Sequence, residues 1–424
     1  MAEHVFSRRN ILQASAAGIS VTFVSSAWAQ QADPPMHAVG RPAPQVPGPE
    51  PLPENEKIGF AVVGLGKLAL GQVLPAFGEA HAAKLAAVVS GNAEKAERVA
   101  AGAGLPRDAI YSYDSFDRIA DDPRIQVVYI ILPNALHADW TVRAFEAGKH
   151  VLCEKPMATS AADCQRMIDA AKAADRKLMI AYRCQYEPHN LEAMRRMRSG
   201  AIGAPRMVAT DNGRPSDPSD PSDQWRLDRE LSGGGALMDI GIYGINAARY
   251  LLNEEPVEVR AWTYTPKDDP RFDETPDVIG WQFRMPSGVL VNGSTSFSYH
   301  GTSRLEVMGE KGRLVLDPAT NYRGIEMQLH GAEGERQPRI QAVDQFAREM
   351  DWMAQAVRGN RPIVSPGGEG MQDIRLMEAV FESLRKDGAP VRTDWNYARA
   401  LDPAEAVKPL FGGNAMRVYG LGDP

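Results

Sequence analysis

Five apolar runs alternate with helical patterns over the first half of the chain, and that alternation leaves few folds open. The runs are "IGFAVVG" from Ile58, "KLAAVVS" ending at Ser90, "IQVVYIILP" from Ile125, "HVLCEKP" from His150 and "KLMIAY" ending at Tyr182. Each is apolar throughout, not alternately apolar and polar, as in a strand buried on both faces. Between them stand "NAEKAERVAAGAG", "ADWTVRAFEAGK" and "AADCQRMIDAAKAADR", with helical spacing. Strand and helix in turn predict a parallel sheet covered by helices on both faces, over residues 57–181.

After Tyr182 the texture changes. A helix is predicted at about 235–252, followed by "VEVRAWTYT", "VIGWQFRM", "VLVNGSTSFSY", "SRLEVMG" and "GRLVLD", joined by turns such as Pro286-Ser287-Gly288. This reads as an α+β unit over 182–398 with a large, mostly antiparallel sheet, one face of it open to a partner. Two helices near 341–358 and 369–386 close it. Residues 399–424 have no strong pattern, and "SDPSDPSD" (216–223) is an unplaced loop.

The first 56 residues stand outside both units. Arg8-Arg9, a short mildly apolar stretch and Ala27-Trp28-Ala29 make residues 1–29 a twin-arginine signal peptide, which predicts export of the folded chain to the periplasm. A disordered basic terminus is the alternative. The stretch is too short and polar for a stable membrane anchor, which needs about 20 apolar residues. Residues 30–56 are proline-rich and favour an extended conformation, as a linker or as an arm lying on a neighbouring subunit. A net charge of −7 and the lack of a basic stripe exclude a nucleic-acid binder. Cys153, Cys164 and Cys184 are an odd number without metal-ligand spacing, so neither a metal site nor a disulfide framework is expected.

Gly64-Leu65-Gly66-Lys67-Leu68-Ala69 follows the first strand and opens a helix. That is the context in which a G-x-G-x-x-A turn binds a dinucleotide pyrophosphate on a helix N-terminus. The second strand ends at Ser90, with Lys95 close behind, where an acidic residue would select NAD. A hydroxyl and an ammonium suit a 2′-phosphate and so NADP, although Lys95 also reads as a solvated helix charge. Leu132, Pro133, Asn134 and His137 follow the third apolar run, at the carboxyl edge where ligands bind. Asn134 and His137 are expected to cap the next helix and touch the nicotinamide ribose.

"CEKPMATS" ends the fourth run at the same edge. Alone, Glu154-Lys155 before Pro156 is a surface ion pair beside a turn. "ELSGGGALMDIGIYGIN" supplies a glycine turn and then Asp239 and Tyr243 at i and i+4 on one helical face. A carboxylate and a phenol beside Lys155 can orient and deprotonate a sugar hydroxyl, the lysine lowering the tyrosine's pKa. A capped, buried helix start is the other reading of Asp239 and Tyr243.

The strand–"GLGK" turn, "EKPMATS", "YRCQY", "QWRL" and "GGGALMDIGIYGINAARYLL" together resemble the Gfo/Idh/MocA oxidoreductase family, over about residues 57–395. Tyr243, where many members carry histidine, points to its glucose–fructose oxidoreductase branch. The resemblance implies Lys155 and Tyr243 as the proton-handling pair, Asp239 orienting the sugar and Glu154 bordering the nicotinamide. It also implies Arg183 at the cofactor or sugar, Trp225 and Arg226 reaching the cofactor, Tyr113 near the adenosine and Tyr322 lining the cleft. It implies a non-dissociating NADP and ping-pong oxidation of an aldose at C1 to an aldonolactone, coupled to reduction of a second sugar to an alditol. Subunits would pair through the open sheets and arm as a dimer or tetramer. The rivals are a sugar or inositol dehydrogenase with exchangeable NAD(P), and a non-catalytic dinucleotide sensor.

Overall fold

The computed structural model describes residues 50–411 except 333, 339 and 396. The signal segment, residues 30–49 of the arm and residues 412–424 of the tail lie outside the described residues.

The five apolar runs become strands: β1 (Ile58–Val63), β2 (Ala83–Val89), β4 (Val127–Ile130), β5 (His150–Glu154) and β6 (Leu178–Ala181). A two-residue strand that the apolar pattern does not show, β3 (Ile110–Tyr111), joins the edge. The order β3-β2-β1-β4-β5-β6 is parallel throughout. The connections run outward from β1 in one direction and from β4 in the other, so the strand order reverses between them. Loops after β1 and β4 diverge there and leave a crevice at the carboxyl edge. Helices α1 (Ala93–Gly102), α2 (His137–Glu146) and α3 (Ala161–Ala173) connect the strands.

Helix α4 (Pro188–Arg198) leads into the second sheet. Its nine strands are β7 (Pro205–Gly213), β8 (Glu258–Tyr264), β9 (Val278–Arg284), β10 (Leu290–Ser296), β11 (Thr302–Gly309), β12 (Gly312–Leu316), β13 (Met327–Gly331), β14 (Gly334–Arg336) and β15 (Val391–Arg392), in the order β14-β13-β12-β11-β7-β10-β9-β8-β15. Only β7 and β10 run parallel; every other pair is antiparallel. Helix α5 (Ile242–Leu252) packs against β7 and β10 on one face. On β8, Val259 and Ala261 point into the core, while Trp262 and Tyr264 are 54% and 67% exposed. Large aromatics left in water on a strand mark a face that is not part of the chain's own core.

The last two helices do not simply close the second unit. Helix α6 (Gln345–Arg358) lies against β1, β2 and β5 of the first sheet. Its buried Asp351 accepts from the backbone N–H groups of His81 and Ala82 at 3.1 and 2.6 Å, satisfying donors at the start of β2. Helix α7 (Gly367–Arg385) spans both units, touching α3, β6 and β8. Helix α7 therefore bridges the two sheets.

Candidate active site

The glycine turn is shaped by local sterics. Gly64 has φ of +94°, and a Cβ there would sit 2.2 Å from the carbonyl oxygen of Ile131. Only glycine fits that conformation and spacing. Gly66 is the opposite case: nothing lies within 4 Å of where its Cβ would be. Its bare backbone faces the crevice, and the helix beginning at Lys67 offers unpaired N–H groups there. This cradle fits a pyrophosphate. Tyr113 packs its ring on Gly91, between Ser90 and α1, so it walls the end where an adenosine would lie. Ser90 is buried, its hydroxyl accepting from Asn92 N–H at 3.1 Å, and Lys95 lies in the first turn of α1. These residues would hold a dinucleotide, with the phosphates on Gly64–Leu68.

Lys155, directly after β5, reaches across to the second unit. Its Nζ donates to the carbonyl oxygen of Asp239 at 2.6 Å and lies 3.4 Å from Asp239 Oδ1. The same ammonium stands 4.7 Å from the ring centre of Tyr243. Asp239 sits in a π turn, Leu237–Gly241, that precedes α5. Such turns break the α-helical ladder and recur at functional sites. The turn is set by Gly233–Gly235, all at positive φ, where Cβ atoms would strike Thr159, Phe381 and Thr275. Buried Ser232 accepts from Gly234 and Gly235 N–H at 3.1 and 3.0 Å. The close approach that these glycines permit is to the chain itself.

Asp239 is the electrostatic centre. Arg226 Nε donates to its Oδ2 at 2.8 Å, and Arg214 Nη2 lies 3.8 Å from the same oxygen. Burial pushes the carboxyl's pKa up, but Arg226, Lys155 and Arg214 more than reverse this and hold it well below the usual carboxylate range. Arg214 is anchored by Asp223 at 2.7 Å. Arg183 is buried in a slot between two rings, its guanidinium carbon 4.7 Å from the centre of Tyr243 and 4.6 Å from that of Tyr322. It donates to Gln345 Oε1 at 2.7 Å and to the Thr320 carbonyl at 2.6 Å. Stacked guanidinium and phenol groups attract through the ring quadrupole, more strongly where water is excluded.

Several residues differ from the sequence expectation. Asn134 caps no helix: its Nδ2 donates to the Ser232 carbonyl at 2.8 Å and so pins the glycine turn. His137 is buried between the backbone carbonyls of Pro156 and Leu132, each 2.8 Å from one ring nitrogen, so the one N–H of the neutral ring is taken by a carbonyl and not turned to a ribose. It ties the loop after β4 to the loop carrying Lys155. The Lys67 ammonium pairs with Asp220 at 2.8 Å, so the 216–223 segment, expected as a loop but helical from Pro221, crosses to the glycine turn. Arg226 turns its guanidinium to Asp239 and over the Trp225 ring, 4.4 Å from its centre. The Tyr243 pKa is not lowered overall, as the sequence reading expects of Lys155, but raised. Burial raises it, and the cation that offsets this most is Arg183. Glu154 is buried behind Lys155, with Tyr129 donating to it at 2.8 Å. The sequence reading missed Tyr129, Arg214, Asp223 and Gln345. Only Tyr129 carried a signal, as a phenol inside an apolar strand needs a partner.

Among the described residues no cluster of three His, Cys, Asp or Glu is placed to hold a metal ion. Cys153, Cys164 and Cys184 are buried and unpaired.

Two family models match this chain. "Oxidoreductase family, NAD-binding Rossmann fold" covers residues 58–182 and the Gfo/Idh/MocA C-terminal domain covers 190–315. The chain belongs to the Gfo/Idh/MocA oxidoreductase family. Among curated relatives, a D-xylose 1-dehydrogenase [NADP(+)] from Haloarcula marismortui is 33% identical over 349 residues, 80% of this chain and 94% of the relative. Among solved structures, an aldose–aldose oxidoreductase from Caulobacter crescentus, complexed with glycerol, is 43% identical with a TM-score of 0.77, covering 80% of this chain and all of that one. A 3-ketoreductase from Actinomadura kijaniata, in complex with NADP, is 25% identical with a TM-score of 0.69 over 77% of this chain and 98% of its own.

Proposed function

We propose that this oxidoreductase acts on free sugars with a tightly held NADP, oxidising an aldose at C1 to an aldonolactone and reducing a second sugar to an alditol. The observation that carries this reading is the convergence of Lys155, Asp239 and Tyr243 at the carboxyl edge of a dinucleotide-binding sheet. Similarity to an aldose–aldose oxidoreductase along 80% of the chain supports the substrate class. Ser90 in place of an acidic residue at the end of β2, Lys95 in the first turn of α1, and relatives described with NADP support the 2′-phosphate form. When bound, the nicotinamide accepts and returns the hydride.

The protein's residues handle the proton. Asp239, held ionised, accepts a hydrogen bond from a sugar hydroxyl and orients it. Tyr243 rests as a neutral phenol, since its pKa is raised, and donates the proton when a carbonyl is reduced. Oxidation needs the phenolate, so its rate rises with pH. Lys155 and Arg183, on the tyrosine ring, stabilise the oxyanion that forms on either partner. One tyrosine serving both directions suits two half-reactions in one site, and the kinetics are ping-pong. Export through a twin-arginine signal fits a cofactor folded in beforehand and regenerated in place. The exposed Trp262 and Tyr264 fit an assembly through the open sheet, with the proline-rich arm laid on a neighbour.

Similarity to a D-xylose 1-dehydrogenase [NADP(+)] favours a second reading, a dehydrogenase with exchangeable NADP. Incubating gel-filtered protein with pairs of sugars and no added cofactor separates the two. Lactone and alditol formed in equal amounts support the first; products only on addition of NADP support the second.

A further inference from the structure

Tyr129, Glu154 and Glu349 form a buried chain behind Lys155 that the reaction scheme above does not use. Tyr129 lies inside β4, Glu154 ends β5 and Glu349 sits in the middle of α6. The Tyr129 hydroxyl oxygen is 2.8 Å from Glu154 Oε1 and 3.0 Å from Glu349 Oε1. All three side chains are buried, Tyr129 and Glu349 completely.

A phenol has one proton to donate, and its oxygen can accept another. Two carboxylates cannot both receive that proton. The chain is satisfied when one carboxyl is protonated and donates to the phenol, which donates to the other. The surroundings assign the order. Glu154 Oε2 accepts from the Lys155 backbone N–H at 3.2 Å, next to the Lys155 and Arg183 charges. Glu349 Oε2 has no hydrogen-bond partner among the described residues. The groups facing Glu349 are Glu154, Tyr129, Arg183, Asp344, Cys184 and Tyr186. Only Arg183 among them is a cation, and its Nη1 and Nη2 donate to Gln345 and Thr320, not to Glu349. Burial pushes both carboxyls up; at Glu154 the Lys155 and Arg183 charges offset part of this, whereas at Glu349 the Glu154 charge adds to it, in agreement with that order.

We infer that Glu349 is a positioning residue: it carries a proton, donates it as a hydrogen bond to Tyr129, and so lets Tyr129 hold Glu154 as a fixed carboxylate behind Lys155. The strand end that presents Lys155 is then braced by α6. The kinetic part of the test rests on the proposed oxidoreductase reading; the spectroscopic part does not.

Two measurements on the purified full-length protein test this. An infrared difference spectrum of wild type minus Glu349→Gln at neutral pH shows the carbonyl band of a protonated carboxylic acid, and wild type minus Glu154→Gln does not. In turnover, Glu349→Ala lowers kcat about tenfold with KM little changed, and Glu349→Gln, whose amide N–H replaces the carboxyl O–H, recovers most of that loss. The inference is overturned if wild type has no such band or if the band vanishes with Glu154→Gln instead. It is equally overturned if folded Glu349→Gln is as slow as Glu349→Ala. Should the variants fail to fold, the wild-type spectrum decides alone, because an absent band overturns the inference whatever the substrate proves to be.

Discussion

Replacing Asp239 by asparagine tests the electrostatic core of the site. The side chain keeps its shape and still accepts from Arg226, but three cations at 2.8, 3.4 and 3.8 Å lose their shared anion. Breaking a fully buried ion pair costs about 3–5 kcal/mol. Arg214 is 35% exposed and keeps Asp223, so a smaller loss, about 2–3 kcal/mol, is expected in urea unfolding. Lys155 keeps the backbone carbonyl but loses the charge that fixes it, and kcat falls about 100-fold, as for a misplaced catalytic group. A second signature distinguishes this from simple destabilisation. The Asp239 charge raises the Tyr243 pKa, so its removal lowers that pKa and moves the pH dependence of oxidation to lower pH. Stopped-flow measurement of nicotinamide reduction across pH reads both effects. A variant within threefold of wild type, with an unmoved profile, would refute the placing of Asp239 at the centre of the site.

Arg183→Met removes the guanidinium that offsets the burial of Tyr243; the phenol pKa rises further and the oxidation profile moves to higher pH, read by the same assay. Ser232→Ala leaves the buried N–H groups of Gly234 and Gly235 without their acceptor and destabilises the protein by about 1–3 kcal/mol in urea titration, more than a surface serine would. Glu369 is buried against Arg249 and Arg399, whose charges outweigh desolvation and lower its pKa from 4.5 to about 2. Its stabilisation is complete above pH 4.5 and lost as pH falls towards 2, so Glu369→Gln is less stable than wild type at neutral pH and has a flatter acid limb in thermal melts.

The parallel sheet was legible because a strand buried on both faces must be apolar along its length, and five such runs stand in the sequence. β3 was not, because two residues carry no period. β7 was missed for a different reason: "PRMVATDNG" mixes polar and apolar residues, yet it is the central strand of the second sheet, held by β10 and β11 on either side. The meeting of Lys155 with Asp239 and Tyr243 was readable because each stands beside its own glycine or proline turn. The slot of Arg183 was not, since its partners Thr320 and Gln345 are 137 and 162 residues away. His137 shows the opposite error. A histidine at the carboxyl edge reads as a ligand contact until both nitrogens are found on backbone carbonyls.

The most direct test mixes gel-filtered protein with one aldose, without added cofactor, and follows the near-ultraviolet absorbance of reduced nicotinamide. The account predicts a single burst matching the protein concentration, reversed by a second sugar, and abolished in Lys155→Met although that variant still carries bound NADP. No absorbance change until NADP is supplied, or an undiminished burst in Lys155→Met, would contradict it.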